Sequence, residues 1–277
     1  MASTSARPVV SSSSQEASNV LPEIQRRIGE KKIGWNWPLI MAFIRFPLAL
    51  LGALLTFVVL TILGNPYAYQ LSFLTSTFYF TFVNLVSLLL LYWLTQREGI
   101  RLRDLIGFRR ERLLRDILLG LLWSIVLYIP FAISVPIVPF IVYGTDAFKH
   151  FAEIFSAGDA SLSVPLWLAL WSMIIFPLVN APVEEMHYRG YVQARLVALS
   201  GSALLGMLIT TLGFALQHTV FAPSLVGSLS YLVCFFFWGA GAALIYHWQK
   251  RLPSLIVAHF ITNFFVGLAI VAGAIFR

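Results

Sequence analysis

An all-α, polytopic bundle of about seven membrane-spanning helices (six to eight) is the fold class this sequence predicts, and three observations carry it. Hydrophobic residues make up 59% of the chain and charged residues only 11%, with a mean hydropathy of +0.83, which leaves too little polar surface for a soluble globule. The apolar residues fall into runs of about 20 or more, enough for a helix to cross the hydrocarbon core of a bilayer. The basic residues gather between alternate runs, the mark of loops on the cytoplasmic side.

Taken in order, residues 1–34 read as a disordered tail and a basic juxtamembrane segment ahead of a transmembrane helical domain at 35–277. The tail is rich in Ser, Ala and Thr, with four serines at Ser11 to Ser14, and has no apolar stretch of the signal-peptide kind. Leu21 to Gly34 carries Arg26, Arg27, Lys31 and Lys32, and Trp35 and Trp37 follow where an interfacial aromatic belt belongs. The first span is read over Pro38 to Leu63, with Arg45 early in it; snorkelling to the interface is the commoner fate of such an arginine. Gly64-Asn65-Pro66-Tyr67 is a turn. The second span, Leu71 to Leu94, carries Ser72, Thr75, Ser76, Thr77, Thr81 and Asn84, small polar residues that suit a close helix-packing face.

Arg97 to Asp116 is the most charged stretch and reads as a cytoplasmic interfacial loop. The third span, Ile117 to Val142, should kink or break in its second half at Pro130, Pro136 and Pro139. The loop Gly144 to Ser163 is net acidic and belongs on the opposite face. The fourth span begins near Val164. Ser200-Gly201 is a hairpin turn, and the fifth, sixth and seventh spans run over Ser202 to Val220, Val226 to His247 and Pro253 to Phe276. With a cytoplasmic N-terminus, the basic segments 21–34, 97–116 and 248–252 all fall on one side. The net charge of +7 therefore points to anionic lipid rather than nucleic acid. The single cysteine, Cys234, excludes an intrachain disulfide and a cysteine metal cluster, and in its Phe-rich run it reads as a packing residue.

Three sites inside apolar spans carry ionisable groups, which in a membrane default to function. The first is Pro182-Val183-Glu184-Glu185-Met186-His187-Tyr188-Arg189-Gly190. Helical spacing lets Glu185 pair with Arg189, four residues on, and leaves Glu184 on another face without a fixed partner. Pro182 should break the preceding helix or start a new one. The second site is Phe214 to His218 and the third His259 to Asn263, each pair one turn apart. If Ser200-Gly201 is the tip of a hairpin that projects into the cytoplasm, Glu184, His218 and His259 reach a common depth. A glutamate and two histidines in one pocket support two chemistries: general-base activation of water with donors to an oxyanion, or a metal held by Glu184, His218 and His259.

Glu184-Glu185-x-x-x-Arg189-Gly190, Phe214-x-x-x-His218 and His259-x-x-x-Asn263, in that order, closely resemble the three motifs of the CAAX-protease and bacteriocin-processing (CPBP, or Abi) family, which includes the eukaryotic prenyl-protein endopeptidase. The resemblance covers about Leu166 to Ile270, so the motif-bearing core is placed at about 164–277. It implies an intramembrane glutamic endopeptidase that hydrolyses a peptide bond in a membrane-associated, prenylated (CAAX-type) substrate. Glu184 and His218 would activate water, His259 and Asn263 would form the oxyanion pocket, and Glu185 and Arg189 would support the site. His187 stands where an apolar or aromatic residue is usual. No cofactor is implied. The partners implied are membrane lipid and a membrane-anchored peptide or prenylated protein, with no nucleic acid. The location implied is an integral, multi-pass protein of a bacterial plasma membrane. Alternative readings are a non-catalytic scaffold or bacteriocin-immunity-type protein, and a metal-dependent membrane protease using the same residues.

Overall fold

A computed structural model describes residues 20–156 and 164–276. The predicted tail up to residue 19 and the end of the acidic loop lie outside the described residues. The described chain is helical, without strands. Among the described residues, seven segments are long and apolar enough to span a membrane, and the protein is an integral, multi-pass membrane protein.

An amphipathic helix α1 (Val20–Gly29) precedes the first span, which is built from α2 (Asn36–Phe43) and α3 (Arg45–Ile62). A short α4 (Ala68–Leu74) leads to α5 (Ser76–Glu98), the second span. The third span is α6 (Leu113–Ser134), and the chain breaks at Pro136 before α7 (Ile137–Tyr143) and α8 (Phe151–Ser156). Pro130 is carried inside α6, so the break falls at the second of the three prolines. The fourth span is one continuous helical run over Leu166–Ser200, made of α9 (Leu166–Leu170), π-helical Trp171–Ile175, α10 (Phe176–Glu185), π-helical Met186–Gln193 and α11 (Ala194–Ser200). The last three spans are α12 (Ala203–His218), α13 (Leu225–Gln249) and α14 (Pro253–Ile275).

Pro182 does not break the fourth span or start a new helix. It lies inside α10, and Pro177 stands at the start of the same helix. Each proline leaves the carbonyl four residues back without its donor. The chain answers with wide π turns on either side, and such turns are frequent at functional sites. The hairpin turn falls where the sequence places it: Gly201 takes φ +67°, and the Ser202 hydroxyl accepts from the amide of Leu205 to start α12.

The fourth span is the axis of the bundle. Every residue from Val183 to Leu196 is buried. Around it pack α5, α12, α13 and α14, while α6 runs along α14 and turns the stripe Leu118, Leu122, Ile125, Ile129 outwards. Small residues set the closest approaches: Gly213 of α12 lies against the backbone of Ala42, and Gly120 of α6 against Val257. At the end of the bundle carrying the basic loops, two ion pairs, one buried and one partly buried, tie spans together. Arg195 and the Tyr191 hydroxyl both donate to Glu98, and Arg251 donates to Asp116 at 2.8 Å. The stretch 97–116 is therefore not wholly an interfacial loop, since its two ends are buried in the bundle.

Candidate active site

Glu184 and Glu185 are the last two residues of α10, and Arg189 lies in the π-helical turn that follows. All three are buried. The pair read from spacing is present: Arg189 Nη1 donates to Glu185 Oε1 at 3.2 Å. Arg189 also donates to the Gly239 carbonyl and lies over the Phe214 ring at 4.5 Å. The same Glu185 oxygen accepts from His259 Nδ1 at 2.9 Å. Glu185 thus joins the first motif to the third and fixes the ring of His259.

Glu184 is not left without a partner, as the helix period suggested. Arg45, from the first span, places Nη2 2.6 Å from Glu184 Oε1. Nor does Arg45 snorkel: it is fully buried. Its remaining donors reach Gln217 Oε1 at 2.6 Å, Ser87 Oγ at 2.9 Å and Asn84 Oδ1 at 2.8 Å. Gln217 Nε2 in turn donates to Glu184 Oε1 at 2.9 Å, and Asn84 Nδ2 to Asn180 Oδ1 at 2.8 Å. One carboxylate oxygen is thereby fully engaged. The other, Oε2, accepts no hydrogen bond from the described residues and stands 3.5 Å from His259 Nε2. An apolar interior makes such a charge expensive unless it is compensated, and here four spans contribute to the compensation.

His218 ends α12. Its Nδ1 donates to the Phe214 carbonyl at 2.7 Å, which leaves Nε2 as an acceptor, and its ring stacks on Phe235 with centroids 3.6 Å apart. Asn263 lies one turn beyond His259, and its amide nitrogen is buried without a hydrogen-bond partner among the described residues. Glu184, His218, His259 and Asn263 all line one cavity of about 490 Å³, whereas Glu185 and Arg189 lie behind it. The other walls are largely aromatic, with Phe73, Phe80, Phe131, Phe155, Phe176 and Phe221 among them. They come from α4, the start of α5, the end of α6, α8, the start of α10 and the turn after α12, all at the end of the bundle away from Lys250 and Arg251. Among the described residues, no three His, Cys, Asp or Glu side chains stand where they could share a metal ion. His187 turns away from the cavity and donates through Nε2 to the Met41 carbonyl at 2.6 Å, bracing α2 just before Arg45.

Residues 165–265 match the family model for type II CAAX prenyl endopeptidase, Rce1-like. This segment of the chain resembles the CAAX-protease family. No curated protein and no solved structure compared with the chain matches it. The CAAX-protease segment holds every motif residue, from Glu184 to Asn263, together with Gln217. Arg45, Asn84 and Ser87, which complete the shell around Glu184, lie outside it. Sequence reasoning missed their part in the site. The available signals were an arginine inside an apolar span, an asparagine inside the next, and a glutamine beside a motif histidine. Each is a polar group in a place where polarity is costly.

Proposed function

We propose that this protein is a glutamic endopeptidase that cleaves a membrane-anchored, prenylated peptide with water activated by Glu184. The observation that carries the reading is the asymmetric carboxylate of the cavity-lining Glu184: one oxygen held by Arg45 and Gln217, the other unbonded and 3.5 Å from His259 Nε2. A water between Glu184 Oε2 and the free Nε2 of His218 would lose a proton to Glu184 as its oxygen attacks the scissile carbonyl carbon. The C–O bond forms and the carbonyl becomes an oxyanion. The Asn263 amide, and His259 when it bears a proton on Nε2, donate to that oxyanion. Collapse breaks the C–N bond, and the proton held by Glu184 passes to the leaving amine. Glu185 supports this by holding His259 through Nδ1, with Arg189 behind it. The aromatic walls fit a lipid-modified peptide better than a free soluble one.

The test is a cleavage assay on a farnesylated CAAX peptide and its unprenylated twin, with purified protein in lipid nanodiscs and products read by mass spectrometry. Release of the C-terminal fragment from the farnesylated peptide, lost in Glu184→Gln, is the expected result. Equal cleavage by wild type and Glu184→Gln would sink the assignment of the base.

A further inference from the structure

We propose that Arg45 is a positioning residue for the reaction: it holds one oxygen of Glu184 so that the other faces the cavity and the attacking water. The inference rests on the reading of Glu184 as the base, and it extends the working site to the first span, beyond the family-matched segment.

Four observations converge on it. Arg45 is one of the largest fully buried side chains in the protein and sits in an apolar span. Its guanidinium reaches four side chains on three other helices: Asn84 and Ser87 of α5, Glu184 of α10 and Gln217 of α12. Among the described residues, both donors to the glutamate, Arg45 Nη2 and Gln217 Nε2, fall on Oε1, and none falls on Oε2. Gln217 is itself oriented by Arg45 Nε, which fixes its amide so that the nitrogen points at Glu184. A carboxylate with two donors on one oxygen cannot turn about its terminal bond without breaking both, so the free oxygen stays beside His259 Nε2. Positioning of this kind matters because a misplacement of about 1 Å can cost on the order of 100-fold in rate. A planar, forked cation with several donors suits the task, whereas an ammonium offers a point charge with a different geometry.

The experiment uses the full chain in nanodiscs and compares wild type with Arg45→Gln, Arg45→Lys, Glu184→Gln and the Arg45→Gln/Glu184→Gln pair. Two readouts are taken on each preparation. The first needs no substrate: infrared difference spectra between wild type and Glu184→Gln isolate the Glu184 carboxylate bands. The same bands are then sought in the Arg45→Gln background by difference against the double variant. The second is steady-state cleavage, with kcat normalised to folded protein by thermal melting. The bands are expected to shift in Arg45→Gln. Its kcat is expected to fall by about 100-fold with KM changed less than about threefold. Arg45→Lys, which keeps the charge but not the fork, should recover only about a tenth of wild-type kcat. Unshifted bands would overturn the proposal, as would wild-type kcat per folded molecule in Arg45→Gln or a loss confined to KM. Full activity in Glu184→Gln alongside shifted bands would instead sink the base reading and leave the anchored carboxylate standing. The two failures are therefore told apart.

Discussion

His259 Nε2 lies 3.5 Å from Glu184 Oε2, the one oxygen of that carboxylate that accepts no hydrogen bond from the described residues. The contact joins the first motif to the third across two different spans. It is backed on both sides: Arg45 and Gln217 hold the glutamate, and Glu185 holds the histidine. Neither group can drift far without breaking a buried bond, so the space before them is defined by the scaffold and not by substrate.

Neutralising either glutamate should cost stability, because each balances a buried arginine. Breaking such a pair by removing one partner costs about 3–5 kcal/mol. Glu184→Gln should in addition lose turnover by about 1,000-fold or more, in the range of a general base. The paired Arg45→Gln/Glu184→Gln variant should regain most of the lost melting temperature and none of the turnover. Thermal melting and cleavage measured on one preparation decide this, and a paired variant as unstable as the worse single one would contradict it.

Asn263→Ala should slow turnover by about 100-fold with little change in KM, the size of effect seen when an oxyanion donor is removed. Its melting temperature should hardly move, since the amide nitrogen has no partner to lose among the described residues. Asn263→Asp should be at least as damaging because it places an acceptor where a donor is needed. A large fall in melting temperature at constant rate per folded molecule would assign Asn263 to helix packing instead.

Chelation separates the two chemistries that a glutamate and two histidines allow. Activity is expected to survive prolonged EDTA treatment, and elemental analysis should find no stoichiometric zinc. One zinc per chain, removed together with activity and restored with it, would move Glu184, His218 and His259 into the role of ligands.

Gly213→Ala should be among the most disruptive single-methyl changes in the protein. An added Cβ would overlap the backbone carbonyl of Ala42, and that backbone has no rotamer to yield. Overpacking of this kind costs about 1–3 kcal/mol or more, against at most about 1 kcal/mol gained in helix propensity. Gly241→Ala is the control, because its Cβ would meet the movable Leu127 side chain. Thermal melting should show a clear drop for Gly213→Ala and a small one for Gly241→Ala.

The basic loops predict the orientation. Single cysteines at Arg103 and Asp146, in a Cys234→Ser background, should label from opposite faces of sealed vesicles, Arg103 from the cytoplasmic one. Labelling of both from one face would contradict the arrangement of the spans.

Much of this was legible because the signals are local. Hydropathy finds the spans wherever about 20 apolar residues run together, and helical spacing pairs Glu185 with Arg189. The position of Ser200-Gly201 brought the motif residues towards one depth, and the four side chains from Glu184 to Asn263 do line one cavity. The partner of Glu184 was not legible. It lies 139 residues earlier in the chain, and an arginine near a span end looks the same whether it snorkels or turns inward. The π-helical turns were equally hidden, since hydropathy does not distinguish one helical pitch from another. Only Pro177 and Pro182 hinted at them, and the break they suggested did not occur.

The brace on Glu184 has a consequence for how the chain can be taken apart. A fragment beginning at the fourth span would contain each motif residue yet would bury Glu184 with no counter-charge, because Arg45 enters from the first span and its own supports, Asn84 and Ser87, from the second. The motif-bearing half is thus not a portable cassette. A chimera that grafts it behind foreign spans would inherit the sequence of an active site and lack the cation that makes its buried glutamate tolerable, unless the donor helix brought an arginine at the same height and on the same face.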